Sequence, residues 1–311
     1  MAPANLPAAL RRVLNRLACP RCHSALAFGA DAECVQCGKH YAVLDGVPVL
    51  LDDDSAATFA AARSDAENVR LRERMASSPL IRLANATRPP HPFTYMRWKV
   101  SRAQRVAFSQ LAEGSGADPV FLDIGSGILG GLNAGGLSSY VTDHIVPLEI
   151  APTAGIGIVG DAHKLPFLDG SVDGVLIQGV LEHVVDPQKI VAEILRVLRP
   201  GGPMFAEVPF QQHFHLDPLD FRRYTVMGFE QLFENYERVD SGVCAGPAAA
   251  LTDMLTEFPA LLFESPAAYW GVKWITGWLA SPIQLLDAIW TRSSRAHISA
   301  AAVYFLGRRR R

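Results

Sequence analysis

From Val120 onward, short apolar runs alternate with amphipathic stretches. Val120-Phe121-Leu122 reads as a buried strand that runs to Ile124, a second strand ends at Leu148-Glu149-Ile150, and a third ends before Asp161. Asp173 to Gln178 gives a fourth and Met204 to Val208 a fifth. Between these last two lies the clearest helix, 187–199. Ile190, Val191, Ile194, Leu195, Val197 and Leu198 supply its apolar stripe, Asp186 its N-cap and Pro187 its first position. Pro200-Gly201-Gly202 stops it. Strands alternating with helices predict βαβ units around a parallel sheet.

Upstream the pattern changes. Residues 1–18 predict a short amphipathic helix, and residues 19–51 a small module rich in Cys and Gly that closes at Asp52-Asp53-Asp54-Ser55. Residues 56–87 are helical by composition, Pro89, Pro90 and Pro92 break the pattern, and a helix of about 95–112 leads into the first strand of the sheet. Glu237–Cys244 and His297–Leu306 are the candidates for a sixth and a seventh strand. The organisation expected is an N-terminal helix and cysteine module at 1–54 and a helical linker and cap at 55–117. An α/β domain follows at 118–311, with a helical insertion at about 246–295. That insertion holds Trp270, Trp274, Trp278 and Trp290. The first three are four residues apart and so share one helix face, either docked on the core or a second subunit, or acting as a lid toward a membrane surface or lipid-linked substrate.

Composition narrows the picture modestly. Hydrophobic residues are 49% of the 311, enough for a sizeable core, and the formal net charge of −2 gives no global basic signal for nucleic acid. The chain ends in Arg308, Arg309, Arg310 and Arg311, which read as a solvated tail or as a phosphate or membrane contact. No uncharged apolar stretch of about 18 residues is present, so no membrane-spanning helix is expected, and the first 18 residues do not read as a signal peptide.

Four of the five cysteines form two paired steps, Cys19-x2-Cys22 and Cys34-x2-Cys37, separated by eleven residues. Each step presents two thiolates from one tight turn, and two facing turns make a tetrahedral four-sulfur site for a structural Zn2+ with no open position. Four free thiols or a redox pair are the alternatives. A module this small needs the metal to fold. Paired thiols also place the chain in a reducing, cytoplasmic compartment. Cys244 stands alone and reads as an apolar filler. The stretch Cys19-Pro20-Arg21-Cys22 through Tyr41 and Asp45-Gly46-Val47-Pro48-Val49-Leu50 resembles the small zinc-ribbon activator subunit of methyltransferases. That resemblance implies a ribbon that activates, stabilises or recruits.

The first strand of the sheet runs into Asp123-Ile124-Gly125-Ser126-Gly127, where glycines let the backbone turn sharply against a ligand. In an open parallel sheet, ligands bind beyond the carboxyl ends of the strands. Glu149, about 25 residues after the first glycine, can accept hydrogen bonds from a ribose diol, with Asp143 as the fallback. Asp161 at the third strand end can accept from an exocyclic amine. Gly130, Gly131, Gly135 and Gly136 make the following helix short or delayed.

Phe121 to Gly127, Leu148 to Ile150, Gly160 to Phe167, Ser171 to Pro187 and Glu193 to Gly202 occur in the order and spacing of class I S-adenosylmethionine-dependent methyltransferases of the small-molecule type, which residues 118–240 resemble. The resemblance implies a doubly wound, Rossmann-like, seven-stranded sheet. It also implies an S-adenosylmethionine site, with Gly127 among its cofactor-binding residues, in which Asp123 and Gly125 border the methionine end, Glu149 holds the ribose, Asp161 and Ala162 hold the adenine, and Gln178 lies under the sulfonium. His183 follows the fourth strand and is a candidate base or a packing group. After the fifth strand comes Pro209 to Thr225, dense in His, Asp, Arg and Tyr, which resembles a segment of glycan and secondary-metabolite methyltransferases. There His215 is the candidate acceptor base and Arg223 the candidate partner of an anionic substrate group, against a loop-fixing network with Asp220 paired to Arg222 or Arg223. The function expected is methylation of a small-molecule acceptor, a glycan, secondary metabolite or lipid-linked compound. An RNA methyltransferase, with a nucleic-acid partner, and a non-catalytic scaffold are the alternatives. A homodimer is left open.

Overall fold

The computed structural model describes residues 8–55, 87, 95–126, 136–151, 156–215 and 219–311. The expectations for a helix over 56–87, for the glycine-rich helix start at Gly130, Gly131 and Gly135, and for Gly127 itself all lie outside the described residues, apart from Thr87.

The apolar runs form the strands of a mixed sheet: β6 (Phe121–Ile124), β7 (Ile145–Glu149), β8 (Ile158–Gly160), β9 (Gly174–Gln178), β10 (Pro203–Pro209), β11 (Tyr236–Ala245) and β12 (Ala302–Arg309). The cysteine module contributes β1 (Leu26–Phe28), β2 (Ala32–Cys34), β3 (His40–Tyr41), β4 (Val43–Leu44) and β5 (Val47–Leu50). The sheet order is β11-β12-β10-β9-β6-β7-β8-β5-β4. β6 and β9 lie side by side and parallel, Leu122 beside Val175 and Ile124 beside Ile177. From this pair the chain winds outward in both directions, so the order reverses there, and a crevice opens beyond the carboxyl ends of such a pair. β12 is antiparallel to β10 and to β11.

The sheet therefore has nine strands where seven were expected. The extra two are the closing hairpin of the cysteine module. β5 adds in parallel to the edge strand β8, Val49 beside Val159 and Leu50 beside Gly160, and so covers an edge that would otherwise present unpaired backbone groups. The remaining strands of the module form a separate three-stranded sheet, β1-β2-β3.

Helix α1 (Ala8–Val13) buries Leu10 and Val13, which join Leu17 in the same apolar cluster as Leu122, Val175 and Ile177 of the main sheet. Helix α2 (Tyr95–Ala112) leads to β6 and buries Phe108 edge-on against Phe121. Helix α3 (Pro187–Val197) starts where Asp186 accepts from the Lys189 amide, and it buries Ile190, Val191, Ile194 and Val197. Helix α4 (Val226–Leu232) is capped by Thr225 and packs Phe229 against Phe233. Between β11 and β12 come α5 (Pro247–Glu257) and α6 (Pro266–Ala280), at the place expected for the insertion. Asp287 is fully buried and accepts from the Ala248 and Ala249 amides, which fixes the start of α5. Cys244 is buried, while Trp270, Trp274 and Trp278 stay substantially exposed on α6. No described helix is long and apolar enough to cross a membrane.

Candidate functional site

Three predicted cofactor residues stand at the carboxyl ends of adjacent strands. Asp123 sits near the end of β6, Glu149 ends β7, and Asp161 follows β8. The chain leaves β6 through Gly125 with a φ of +72°, a conformation that favours glycine, and a Cβ there would meet Val180 Cγ2 at 2.2 Å. Beside the turn, the Ser126 hydroxyl is buried with no hydrogen-bond partner among the described residues. An orphaned buried hydroxyl costs free energy unless a ligand meets it.

Asp123 is buried, at 7% exposure. Burial first, and the Glu149 carboxylate second, push its carboxyl up to about 7, with Arg105 pulling the other way. The two carboxylates thus feel each other across the strand ends, and a cationic ligand would relieve both. Arg105, on α2, donates from Nη1 to Gln178 Oε1 at 3.0 Å, which fixes the side chain expected under the sulfonium.

Asp161 is more committed than the sequence suggests. It accepts at Oδ1 from the His163 amide and from His163 Nδ1, both at 2.8 Å, and at Oδ2 from the Ser55 hydroxyl at 2.6 Å. Burial works to raise its pKa, but these hydrogen bonds outweigh burial and hold the carboxyl down to about 2. Ala162 opens the short turn that Asp161 caps. Ser55 belongs to the segment leaving the cysteine module, where Asp52 accepts from its amide and pairs with Lys164.

The residues expected at the methyl-transfer end also converge. His183 and His215 lie edge to face with ring centroids 5.0 Å apart. Glu182, which sequence reasoning passed over, is buried beside them with Oε1 3.7 Å from His183 Nε2. The loop carrying His215 is laced to the turn after β9: Phe221 N donates to Glu182 O at 2.9 Å, His183 Nδ1 to Leu219 O, and Arg222 to Val184 O and Val185 O. Arg223 was expected to meet an anionic substrate group. Its donors instead go to both oxygens of buried Asp220 and to the carbonyls of Gln212, His213 and Arg222. Through these bonds its guanidinium holds the loop.

The insertion reaches this loop as well. His213 donates from Nδ1 to Asp253 Oδ2 on α5 at 2.7 Å, and that bond raises its pKa above the ordinary histidine value. Glu257 of α5 pairs with Lys273 of α6 at 2.5 Å. Asp253, Glu257 and Lys273 carried no local signal, because their partners lie far away in sequence.

In the N-terminal module, Cys19, Cys22, Cys34 and Cys37 bring their sulfurs within 4.8 Å of one another. Cys19 Sγ is 3.7 Å from Cys37 Sγ, and Cys22 Sγ is 3.4 Å from Cys34 Sγ. Tetrahedral zinc with bonds near 2.3 Å would place sulfurs about 3.8 Å apart, so the set fits a four-coordinate ion. Tyr41 OH lies 3.0 Å from Cys19 Sγ and supplies an outer contact.

Residues 122–206 match the family described as "Methyltransferase domain". This stretch, about a quarter of the chain, is similar to that family. Among curated relatives, a norajmaline N-methyltransferase of Rauvolfia serpentina is 29% identical over 44% of this chain and 38% of its own length. A demethylmenaquinone methyltransferase of Desulfitobacterium hafniense is 33% identical over 32% of this chain and 38% of its own. Each curated relative is thus matched over well under half of its length. A solved phosphoethanolamine N-methyltransferase 2 of Haemonchus contortus is 18% identical, over 67% of this chain and 53% of that one, with a TM-score of 0.41. The matched stretch runs from β6 into β10, the strands whose carboxyl ends carry Asp123, Glu149, Asp161 and Gln178.

Proposed function

We propose that this chain is an S-adenosylmethionine-dependent methyltransferase acting on a small-molecule acceptor. The observation that carries the reading is the pair of carboxylates, Asp123 and Glu149, at the ends of the adjacent strands β6 and β7, beside the Gly125 turn and the buried, unpartnered Ser126 hydroxyl. A ligand with a cationic methionine end, a ribose diol and an adenine matches that set of acceptors and the orphaned hydroxyl. When bound, it supplies an electrophilic methyl group on sulfur.

Asp123 and Ser126 would take the amino-acid end, Glu149 the ribose and the segment Asp161-Ala162 the adenine. Arg105 holds Gln178 in place at the fourth strand end. His183 and His215 stand at the acceptor side, on a loop that Arg223 and Asp220 lock in position, and positioning of this kind supplies much of the rate in group transfer. The relatives act on an alkaloid and on a quinone precursor by their names, which supports a small-molecule acceptor over RNA. A glycan, secondary metabolite or lipid-linked compound is the class we favour. The four thiolates would hold a structural Zn2+, since four protein ligands leave no position for a reactant.

Isothermal calorimetry with S-adenosylmethionine tests the reading. Binding should be measurable for the full chain and weaken by about tenfold or more for Glu149→Ala, as expected for loss of charge-assisted hydrogen bonds. Absence of binding to the unaltered chain overturns it.

A further inference from the structure

We infer that Glu182, His183 and His215 form a second metal centre, an N2O site for a divalent transition-metal ion, distinct from the four-cysteine site. One ligand atom from each of the three residues lies within 4.8 Å of the others. A carboxylate and two imidazoles around a first-row divalent ion, with bonds near 2.1 Å, stand about 3.0–3.4 Å apart, so modest side-chain rotation closes the set.

Proton placement strengthens the case. His183 Nδ1 faces the Leu219 carbonyl oxygen, which can only accept, so Nδ1 carries the proton and Nε2 faces Glu182. In a neutral ring that nitrogen points its lone pair at a carboxylate oxygen 3.7 Å away. A cation between the two groups would suit both. His215 is held differently. Its Nδ1 lies 3.3 Å from His213 O, 3.4 Å from Arg223 Nη2 and 3.7 Å from Asp220 Oδ2, so the ring is held in place by the loop that carries it. A histidine that ligates metal through one nitrogen while the other donates to a carbonyl is the usual outer-shell arrangement.

The surroundings are mixed in charge. Arg223 comes within 3.4 Å of His215 Nδ1, and His213 packs edge-on at 6.3 Å, but Asp220 neutralises the first and Asp253 with Glu257 the second. The ligand loop is already fixed to the β9 turn by Phe221 N, Arg222 and the His183 ring. Three protein ligands leave coordination positions open to an outside oxygen. The inference goes beyond the proposed reaction and stands whatever the acceptor is.

The test uses the full chain with its cysteine site loaded with zinc. It is titrated with cobalt(II) chloride, freed of excess metal on a sizing column and analysed for metal by mass spectrometry, with absorption spectra alongside. The expected result is one cobalt retained per chain in addition to zinc, with weak visible bands and no sulfur-to-cobalt charge-transfer band. His183→Ala, His215→Ala and the isosteric Glu182→Gln should each cut retained cobalt by about tenfold or more, with zinc unchanged. Failure of the wild-type chain to retain cobalt beyond any exchanged into the cysteine site overturns the inference, as does retention indifferent to all three substitutions. Cobalt retained by a chain that binds no S-adenosylmethionine would overturn the proposed function and leave the metal site standing.

Discussion

At the scale of single residues, Asp123 is the most exposed to test. An acid whose folded-state pKa stands at about 7 rather than 3.8 is destabilising once it must ionise in the fold. The sign follows from proton counts. Below about pH 4 both states hold the proton and the group contributes nothing. As pH climbs toward 7 the unfolded chain ionises first, and above 7 the full penalty is present. A shift of about three units corresponds to at most about 4 kcal/mol, and relaxation would leave roughly 1–3 kcal/mol. Asp123→Asn should therefore melt higher than the parent at pH 8, with the gain shrinking steadily toward pH 4, while its affinity for S-adenosylmethionine falls. A melting gain that does not vary with pH would show that Asp123 is not the group responsible. Asp220 is the opposite case. Burial acts to raise its pKa, but Arg223 and the His215 amide outweigh that and hold it down to about 2. Asp220→Ala strands Arg223 in the loop and should cost about 3–5 kcal/mol, and removing Arg223 as well should recover part of that loss in a double-mutant cycle on thermal stability.

At the scale of elements, the turn after β6 depends on one glycine. Gly125→Ala asks an L-residue to hold a φ of +72° and drives a methyl group into Val180. About 1–3 kcal/mol of stability should be lost, along with cofactor binding. Adding Val180→Ala should relieve the clash but not the backbone strain, so a complete recovery in a denaturant melt would contradict this account. That turn, helix α3 and the strands of the parallel sheet were legible in the sequence because their signals are local. Asp186-Pro187 marks a helix start and Pro200-Gly201-Gly202 its end, and the apolar runs mark strands buried on both faces. The partnership of β5 with β8 was not legible, since Val47–Leu50 and Ile158–Gly160 are more than a hundred residues apart and neither run encodes its neighbour. For the same reason Glu182 was passed over. Its meaning depends on His215, which only the folded loop brings back beside the β9 turn. Asp161 was found at the right strand end, but its capture by Ser55 and His163 depends on a module the eye reads as separate.

At the scale of the molecule, the cysteine module behaves as part of the main sheet rather than an appendage. Leu10, Val13, Leu17, Cys19, Leu26, Cys34, Tyr41 and Leu50 share one continuous apolar cluster with Leu122, Leu148, Ile158, Val175 and Ala206 of the parallel strands. β5 completes the sheet edge, Arg16 pairs with Asp173 at 2.7 Å, Asp52 pairs with Lys164, and Ser55 donates to Asp161. A metal bound in that module would therefore stabilise the whole chain, because structural zinc contributes its binding free energy to whatever folds with it. Removing zinc with a strong chelator, or replacing Cys22 and Cys34 with Ser, should lower the melting temperature of the entire chain in a single transition. With a loss of at least about 3 kcal/mol in a chain of 311 residues, the shift should be on the order of 5 °C or more. Affinity for S-adenosylmethionine should fall with it at temperatures well below the melt, since Ser55 and β5 steady the Asp161 turn. Two separate transitions, an early one that leaves the Trp fluorescence and cofactor binding of residues 95–311 intact, would mean that the module folds on its own and that its contacts with β8 and Asp161 transmit nothing.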